Sequence, residues 1–257
     1  MVGNSLGTLF KIISFGESHG EVIGVIIDGC PAGLKIDADL IQKELNRRRP
    51  GQTALSTPRS EEDKVKIISG IFNNFTTGAP ICLIIENKDV DSSKYEKIKN
   101  ILRPSHADFS RLMRYGESAD YRGGGRFSGR ITAGFVMAGA IAKQILSLNN
   151  IKIIAYTKEI GGIIDDKEYD FKKIKILRDK SDVGVLDNGN SQKISELILK
   201  MKEEKNSVGG IVKCNVENFP AGVGNPIFNN LQSDISKAIF SIPAVKGIEF
   251  GAGFKAA

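Results

Sequence analysis

The sequence predicts a mixed α/β (α+β) fold built around a buried central helix, and three observations carry that prediction. β-Branched runs alternate with helical stripes through both halves of the chain. Residues 131–142 are almost wholly apolar, with Thr132 the one polar residue, and Gly134 and Gly139 permit close approach on a helix enclosed all round. The 257 residues are 41% hydrophobic and 26% charged, which excludes disordered, collagenous and disulfide-scaffold classes and leaves material for one large domain or two small ones.

Residues 8–15 and 22–28 are β-branched runs, hence two strands joined through a turn at 16–20. Asp37 caps a helix reaching about Arg48, with Leu40, Ile41 and Leu45 facing inward. Residues 65–72 and 81–86 predict two further strands. Residues 116–130 hold too many glycines for either element and form a loop that leads into the apolar helix. In the second half, 151–156 and 210–216 are strands. Ile194, Leu197, Ile198 and Met201 mark one helical stripe, and Leu231, Ile235, Ala238, Ile239 and Ile242 another. Residues 164–190 are charged and weakly patterned, a peripheral excursion. Pro31-Ala32-Gly33 and Pro220-Ala221-Gly222 each follow a strand and precede a helix, which suggests two related β–turn–α units about a pseudo-twofold axis.

The net charge is +6, a mild basic excess that favours anionic partners. It is unevenly made. Lysines run the whole length, whereas ten of eleven arginines (Arg47, Arg48, Arg49, Arg59, Arg103, Arg111, Arg114, Arg122, Arg126 and Arg130) fall between 47 and 130. Both residues serve solubility equally, but the arginine fork also grips phosphate or carboxylate through two bonds. The segment is read as supplying an anion site. The two histidines, His19 and His106, each follow a serine in a turn-like stretch where amides and arginines can converge.

Several chemistries fit poorly. Gly16-Glu17-Ser18-His19-Gly20 matches Gly-x-Ser-x-Gly, but the β-branched run after it is no helix, as a hydrolase elbow requires. The run from Arg122 to Arg130 is neither a dinucleotide fingerprint nor a P-loop. It occurs once and leads into a core helix, unlike repeating nucleic-acid segments. Two distant histidines and dispersed cysteines give no metal-ligand spacing. Cys30, Cys82 and Cys214 sit among apolar residues and read as buried reduced thiols. Residues 1–7 carry no signal-peptide pattern, and no stretch reaches the roughly 18 apolar residues of a membrane span, so a cytoplasmic protein is expected.

Taken together, the motifs resemble the chorismate synthase family. They are Gly3-Asn4-Ser5-Leu6-Gly7, Phe15-Gly16-Glu17-Ser18-His19-Gly20, and Asp28-Gly29 with Pro31-Ala32-Gly33. Arg47-Arg48-Arg49-Pro50-Gly51, Arg103-Pro104-Ser105-His106-Ala107-Asp108, Tyr121-Arg122-Gly123-Gly124-Gly125-Arg126 and Ala244-Val245-Lys246-Gly247 follow in the family's order. The resemblance implies a β-α-β sandwich, with a central helical layer between antiparallel sheets, assembled as a homotetramer. It implies a carbon–oxygen lyase that removes phosphate and a ring proton from 5-enolpyruvylshikimate-3-phosphate by anti-1,4-elimination, using reduced FMN. Such a reaction needs a trianion neutralised, a proton for the departing phosphate and a tuned flavin.

By the same resemblance, His19 protonates the leaving phosphate with Ser18 beside it, and His106 acts on the reduced flavin. Arg48, Arg49 and Arg130 bind substrate. Arg126, Phe127 and Ser128 contact FMN, as do Pro243 and Ala244. Arg48 also matches a position assigned to NADPH in members that reduce their own flavin. Three departures stand out. Phe127 replaces a small residue, no basic residue lies between Gly51 and Arg59, and the chain stops where members continue into further flavin contacts. Residues 1–257 are therefore expected to form a single domain that lacks the family's C-terminal part. A catalytically incomplete synthase and an arginine-rich nucleic-acid-binding module are the alternatives; no membrane or nucleic-acid partner is expected.

Overall fold

Gly7, at φ +96°, folds the first strand back onto the second and starts the main sheet. A computed structural model describes residues 3–57 and 59–257. In chain order its elements are β1 (Ser5–Leu6), β2 (Lys11–Gly16), β3 (Val22–Asp28), α1 (Ala38–Arg48), β4 (Lys66–Ser69), β5 (Ile71–Phe72), β6 (Phe75–Thr76), β7 (Ile81–Glu86), α2 (Ser93–Ile98), α3 (Asp108–Tyr115) and α4 (Thr132–Ser147). There follow β8 (Lys152–Ile160), β9 (Ile163–Ile164), α5 (Phe171–Arg178), α6 (Asn188–Glu203), β10 (Gly210–Glu217) and α7 (Leu231–Ile239). Two compact units emerge. One comprises the stretch ending at Arg49 with Glu61–Gln144 and Pro220–Ala257, the other Pro50–Ser60 and Ile145–Phe219.

The first unit is organised by an antiparallel sheet in the order β1-β2-β3-β7-β4. Register places Ile23 opposite Ile85, Val25 opposite Leu83 and Ile27 opposite Ile81. All six are fully buried. Cross-strand apolar pairs of this kind are what a half-buried sheet is built from, and each such side chain contributes about 1.5–3 kcal/mol on burial. Helix α4 adds Ala133, Met137, Ala140 and Ile141 to the same core. It comes very close: a methyl built on Gly134 would lie 3.1 Å from the carbonyl oxygen of Gly24 in β3. On α1, Ile41 and Leu45 are buried as expected and Asp37 caps the helix by accepting from the Asp39 amide at 2.9 Å. Leu40 departs from the expectation and faces solvent.

Other departures have local causes. The run at 8–15 pairs only from Lys11, because residues 7–10 form the turn between β1 and β2. The run at 65–72 breaks at Gly70, whose φ of +82° and whose approach to Ile81 stop one strand and let β5 pair with β6 instead. Cys30 is buried, but Cys82 is half-buried and Cys214 is exposed, so the expectation of three buried thiols holds for Cys30 alone. In the two Pro-Ala-Gly turns the glycines both take positive φ, Gly33 at +79° and Gly222 at +83°. None of the apolar stripe of α7 is buried. Among the described residues no helix is long and apolar enough to cross a membrane.

The second unit carries the antiparallel sheet β10-β8-β9. Here the expected excursion at 164–190 is corrected, because it builds the core. Ile174 of α5 and Leu186 pack with Ile154 and Tyr156, and Tyr169, Phe171 and Leu177 lie against them. The helix is short and its outer face is lysine-rich, so its single inward apolar row is hard to recognise in sequence. Tyr169 gives its hydroxyl to the buried carboxylate of Asp165 at 3.0 and 3.2 Å. Burial first, then this bond, push the phenol up to about 12.

Folding therefore favours the neutral phenol. Its stabilisation is complete below the ordinary tyrosine value of about 10 and is lost as pH rises through about 12. Alkaline absorbance titration should show one late phenol, and Asp165→Asn should move that step to lower pH. An unmoved step would dissociate Asp165 from the effect.

Candidate functional site

Two sequence-distant turns meet at the edge of the main sheet. The first, Gly16–Gly20, leaves β2 and is closed by Gly20 N–H donating to Glu17 O at 3.0 Å. Asn87 clamps it from β7's end, donating to the carbonyls of Glu17 (3.1 Å) and Gly20 (2.7 Å). The second is the run Gly123-Gly124-Gly125, at φ +59°, +82° and +53°. Only glycine adopts three successive left-handed conformations at low cost. The amide of Ser18 donates to Gly125 O at 3.3 Å and joins the turns.

This meeting explains the glycines. A methyl on Gly123 would stand 2.2 Å from His19 Cδ2, 2.5 Å from its Nε2 and 2.8 Å from Ser18 Oγ. The His19 ring is held in place by Nδ1 against Ser92 Oγ at 2.9 Å and by an edge contact with Tyr95, centroids 5.2 Å apart. Ser18 is buried.

Gly123 and Gly124 also line a cavity of about 260 Å3, with Tyr95, Arg103, His106, Arg111, Phe127 and Ser128 among its other walls. Gly123 and Tyr95, against which His19 packs, are thus part of the cavity wall, and His19 stands next to that wall. His106 is exposed, and its Nδ1 lies 2.9 Å from Pro104 O. A carbonyl only accepts, so Nδ1 is the nitrogen that donates here, and Nε2 is not used in this bond. The loop bearing His106 is clasped by Arg103, which donates to Asp108 through Nε (2.7 Å) and Nη2 (3.0 Å). That bidentate bond holds the Asp108 carboxyl below the usual carboxylate range.

The predicted anion-binding arginines divide. Arg48 and Arg130 are brought together by one carboxylate, Asp63, whose side chain is fully buried and whose φ is +48°. Arg130 Nη1 meets Asp63 Oδ1 at 2.5 Å, and Arg48 Nη1 meets Oδ2 at 3.3 Å. Arg130 Nε donates to Asn87 at 3.0 Å, while its buried Nη2 has no hydrogen-bond partner among the described residues. Arg48 Nη2 reaches Gly129 O at 3.1 Å. Arg49 is exposed just past the helix.

Sequence reasoning missed Asp63 and Asn87. Asp63 ends a Glu61-Glu62-Asp63 run that looks like a solvated face, and no local spacing announces its role.

The predicted flavin contacts divide as well. The guanidinium of Arg126 turns back onto β2, donating to Gly16 O (2.8 Å), Ser14 O (3.1 Å) and Asn4 Oδ1 (3.0 Å). Burial draws its pKa down, against the pull of Glu17. Its head group thus serves the structure. Phe127 is 42% exposed on the cavity wall, tilted against Tyr115. Ser128 Oγ accepts from the Arg130 amide at 3.2 Å. Pro243 and Ala244 lie exposed in the turn after α7 and do not line the cavity. No group of three metal-ligating side chains forms among the described residues.

Comparison with known proteins bears directly on this geometry. A family model described as chorismate synthase matches residues 10–257. A chorismate synthase of Dehalococcoides mccartyi BAV1 is 55% identical over 255 residues, 99% of this chain and 70% of that protein. One of Methanococcoides burtonii is 52% identical over 257 residues, with 100% and 70% covered. A crystal structure of chorismate synthase superposes with a TM-score of 0.75 at 29% identity, covering 97% of this chain and 70% of that one. The fold class is α/β with antiparallel sheets.

Removing Asp63 leaves two guanidiniums without their shared counter-ion. Asp63→Ala should cost about 3–5 kcal/mol, read as a lower urea midpoint at unchanged slope. Gly123→Ala should displace the His19 ring; an unchanged His19 imidazole resonance in NMR spectra would contradict this packing of glycine against histidine.

Proposed function

The chain belongs to the chorismate synthase family, a lyase family of the shikimate pathway, and from that premise we propose how its residues divide the reaction. The substrate is 5-enolpyruvylshikimate-3-phosphate, from which phosphate and a ring proton are lost. The single observation that carries this reading is the junction of the two turns, where Ser18 and His19 are packed against a glycine run that also walls the cavity.

His19, oriented through Nδ1 by Ser92, offers Nε2 as the proton donor to the departing phosphate, with Ser18 beside it. Arg48 and Arg130, preset by Asp63, and the exposed Arg49 neutralise the anionic groups. His106 keeps Nε2 free for proton exchange at the cavity.

Residues present fit a planar anionic cofactor. The cavity has glycine backbone, the exposed Phe127 ring and cationic side chains in its walls. Reduced FMN, when bound, supplies electron density to the C–O bond that breaks. Phe127, Ser128 and the backbone of Arg126 would hold it; Pro243 and Ala244, outside this cavity, are further contacts only by the family resemblance. NADPH, where the flavin is reduced in cis, rests on Arg48. We read residues 1–257 as a single synthase domain, supported by a family match that covers residues 10–257. A homotetramer is supported by exposed Phe72, Phe228 and Phe254, and a cytoplasmic location by the reduced thiols of Cys30 and Cys82.

The test is anaerobic turnover with chemically reduced FMN and 5-enolpyruvylshikimate-3-phosphate, following chorismate absorbance and phosphate release. Turnover by this chain would show that these residues suffice. Turnover only after a relative's remaining sequence is appended would place further flavin contacts there. Silence in both forms would overturn the reading. In the active form, His19→Ala and His106→Ala should each lower kcat/KM by about 10²–10⁴-fold.

A further inference from the structure

Helix α3 is turned inside out. Its buried residue is Arg111, 7% exposed, while Phe109, Leu112, Met113 and Tyr115 face solvent. Arginine is almost never enclosed unless something pairs with it, because desolvating its charge is costly. Packing does not account for the choice either, since four large apolar side chains on the same helix were passed over.

The usual compensation is missing. Arg130 has Asp63 and Arg103 has Asp108. Among the described residues the Arg111 guanidinium makes one hydrogen bond, a long one of 3.4 Å from Nη1 to Ala119 O, and no ion pair. It lines the same cavity as Gly123, Gly124 and His106. Of the two arginines in that wall, Arg103 is already neutralised, so Arg111 is the cavity's uncompensated cation.

We propose that Arg111 is an anion-binding residue of this cavity, donating to a phosphoryl or carboxylate oxygen of the bound ligand. The proposal deepens the functional reading above, on which it rests for the expectation of a phosphorylated ligand. Enclosure strengthens such a charge-assisted bond, and the guanidinium fork suits an oxyanion. The ligand thus completes a site that the chain leaves electrostatically open.

The experiment compares the whole chain with Arg111→Gln and Arg111→Lys, using inorganic phosphate, oxidised FMN and 5-enolpyruvylshikimate-3-phosphate as separate titrants in calorimetry. At least one titrant should bind wild type, and Arg111→Gln should weaken it by about ten- to a hundredfold, with part recovered in Arg111→Lys. Which titrant loses affinity identifies the cofactor or the substrate as the source of the oxyanion. Without ligand, Arg111→Gln should match or exceed the wild-type Tm, and it should lose the rise in Tm that wild type shows with ligand. Three results would overturn the proposal: no binding to wild type, equal affinities in wild type and Arg111→Gln, or a lowered ligand-free Tm with affinity unchanged. Anion binding through Arg111 in a chain that never turns over would leave this site standing and remove the functional reading. Turnover with an unchanged KM in Arg111→Gln would do the reverse.

Discussion

Arg48 comes from the end of α1 and Arg130 from the turn before α4, and the carboxylate of Asp63 is what both reach. A buried arginine beside a half-buried one is tolerable only with a counter-ion between them, and a dry counter-ion is tolerable only with cations on both oxygens. Each member therefore makes the others tolerable in the folded state. Asn87 extends the arrangement. Its side-chain oxygen accepts from Arg130, and its amide donors hold the turn that carries Ser18 and His19. The charged core and the histidine turn are one hydrogen-bonded structure.

The second constraint is steric. The left-handed glycine run at 123–125 lets backbone pass where a side chain would collide with His19 and with Asp120 O. Arg126, immediately after it, ties the run to β2 through the carbonyls of Ser14 and Gly16. The main sheet, held by its paired Ile, Val and Leu side chains, is thus the fixed body against which the turns are set. Function in this family demands polyanion binding, and the protein holds its arginines in two different ways. Arg48 and Arg130 share one carboxylate between two guanidiniums and keep a net positive charge, whereas Arg111 is enclosed with no carboxylate at all among the described residues.

Much was legible in the sequence because it depends on near neighbours. The Asp37 cap, the inward Ile41 and Leu45 of α1, the apolar α4 and the strands at 22–28 and 81–86 follow from spacing along the chain, which sets what each element can bury. The histidine contexts, the triple glycine and the confinement of arginine to one segment are likewise local signals, read directly from the chain. Failures also have local explanations. Leu40 lies at the edge of its helix face, α5 is too short for its pattern to show, and Gly70 interrupts a run whose composition reads as continuous strand.

What only the tertiary structure decided is pairing across distance. Asp63 belongs to an acidic run and Arg111 to a helix rich in large apolar side chains, so any local rule puts both outside. Arg126 looks like a ligand-binding arginine and is committed to strand carbonyls instead. By itself, the sequence determined the α/β class, the principal elements and the residue types of the site. Which arginine is neutralised, which is structural and which is left for a ligand depends on where carboxylates and carbonyls from other elements arrive. Periodicity reports on neighbours within a turn or a pleat, and it carries no record of a counter-ion brought in from another part of the fold.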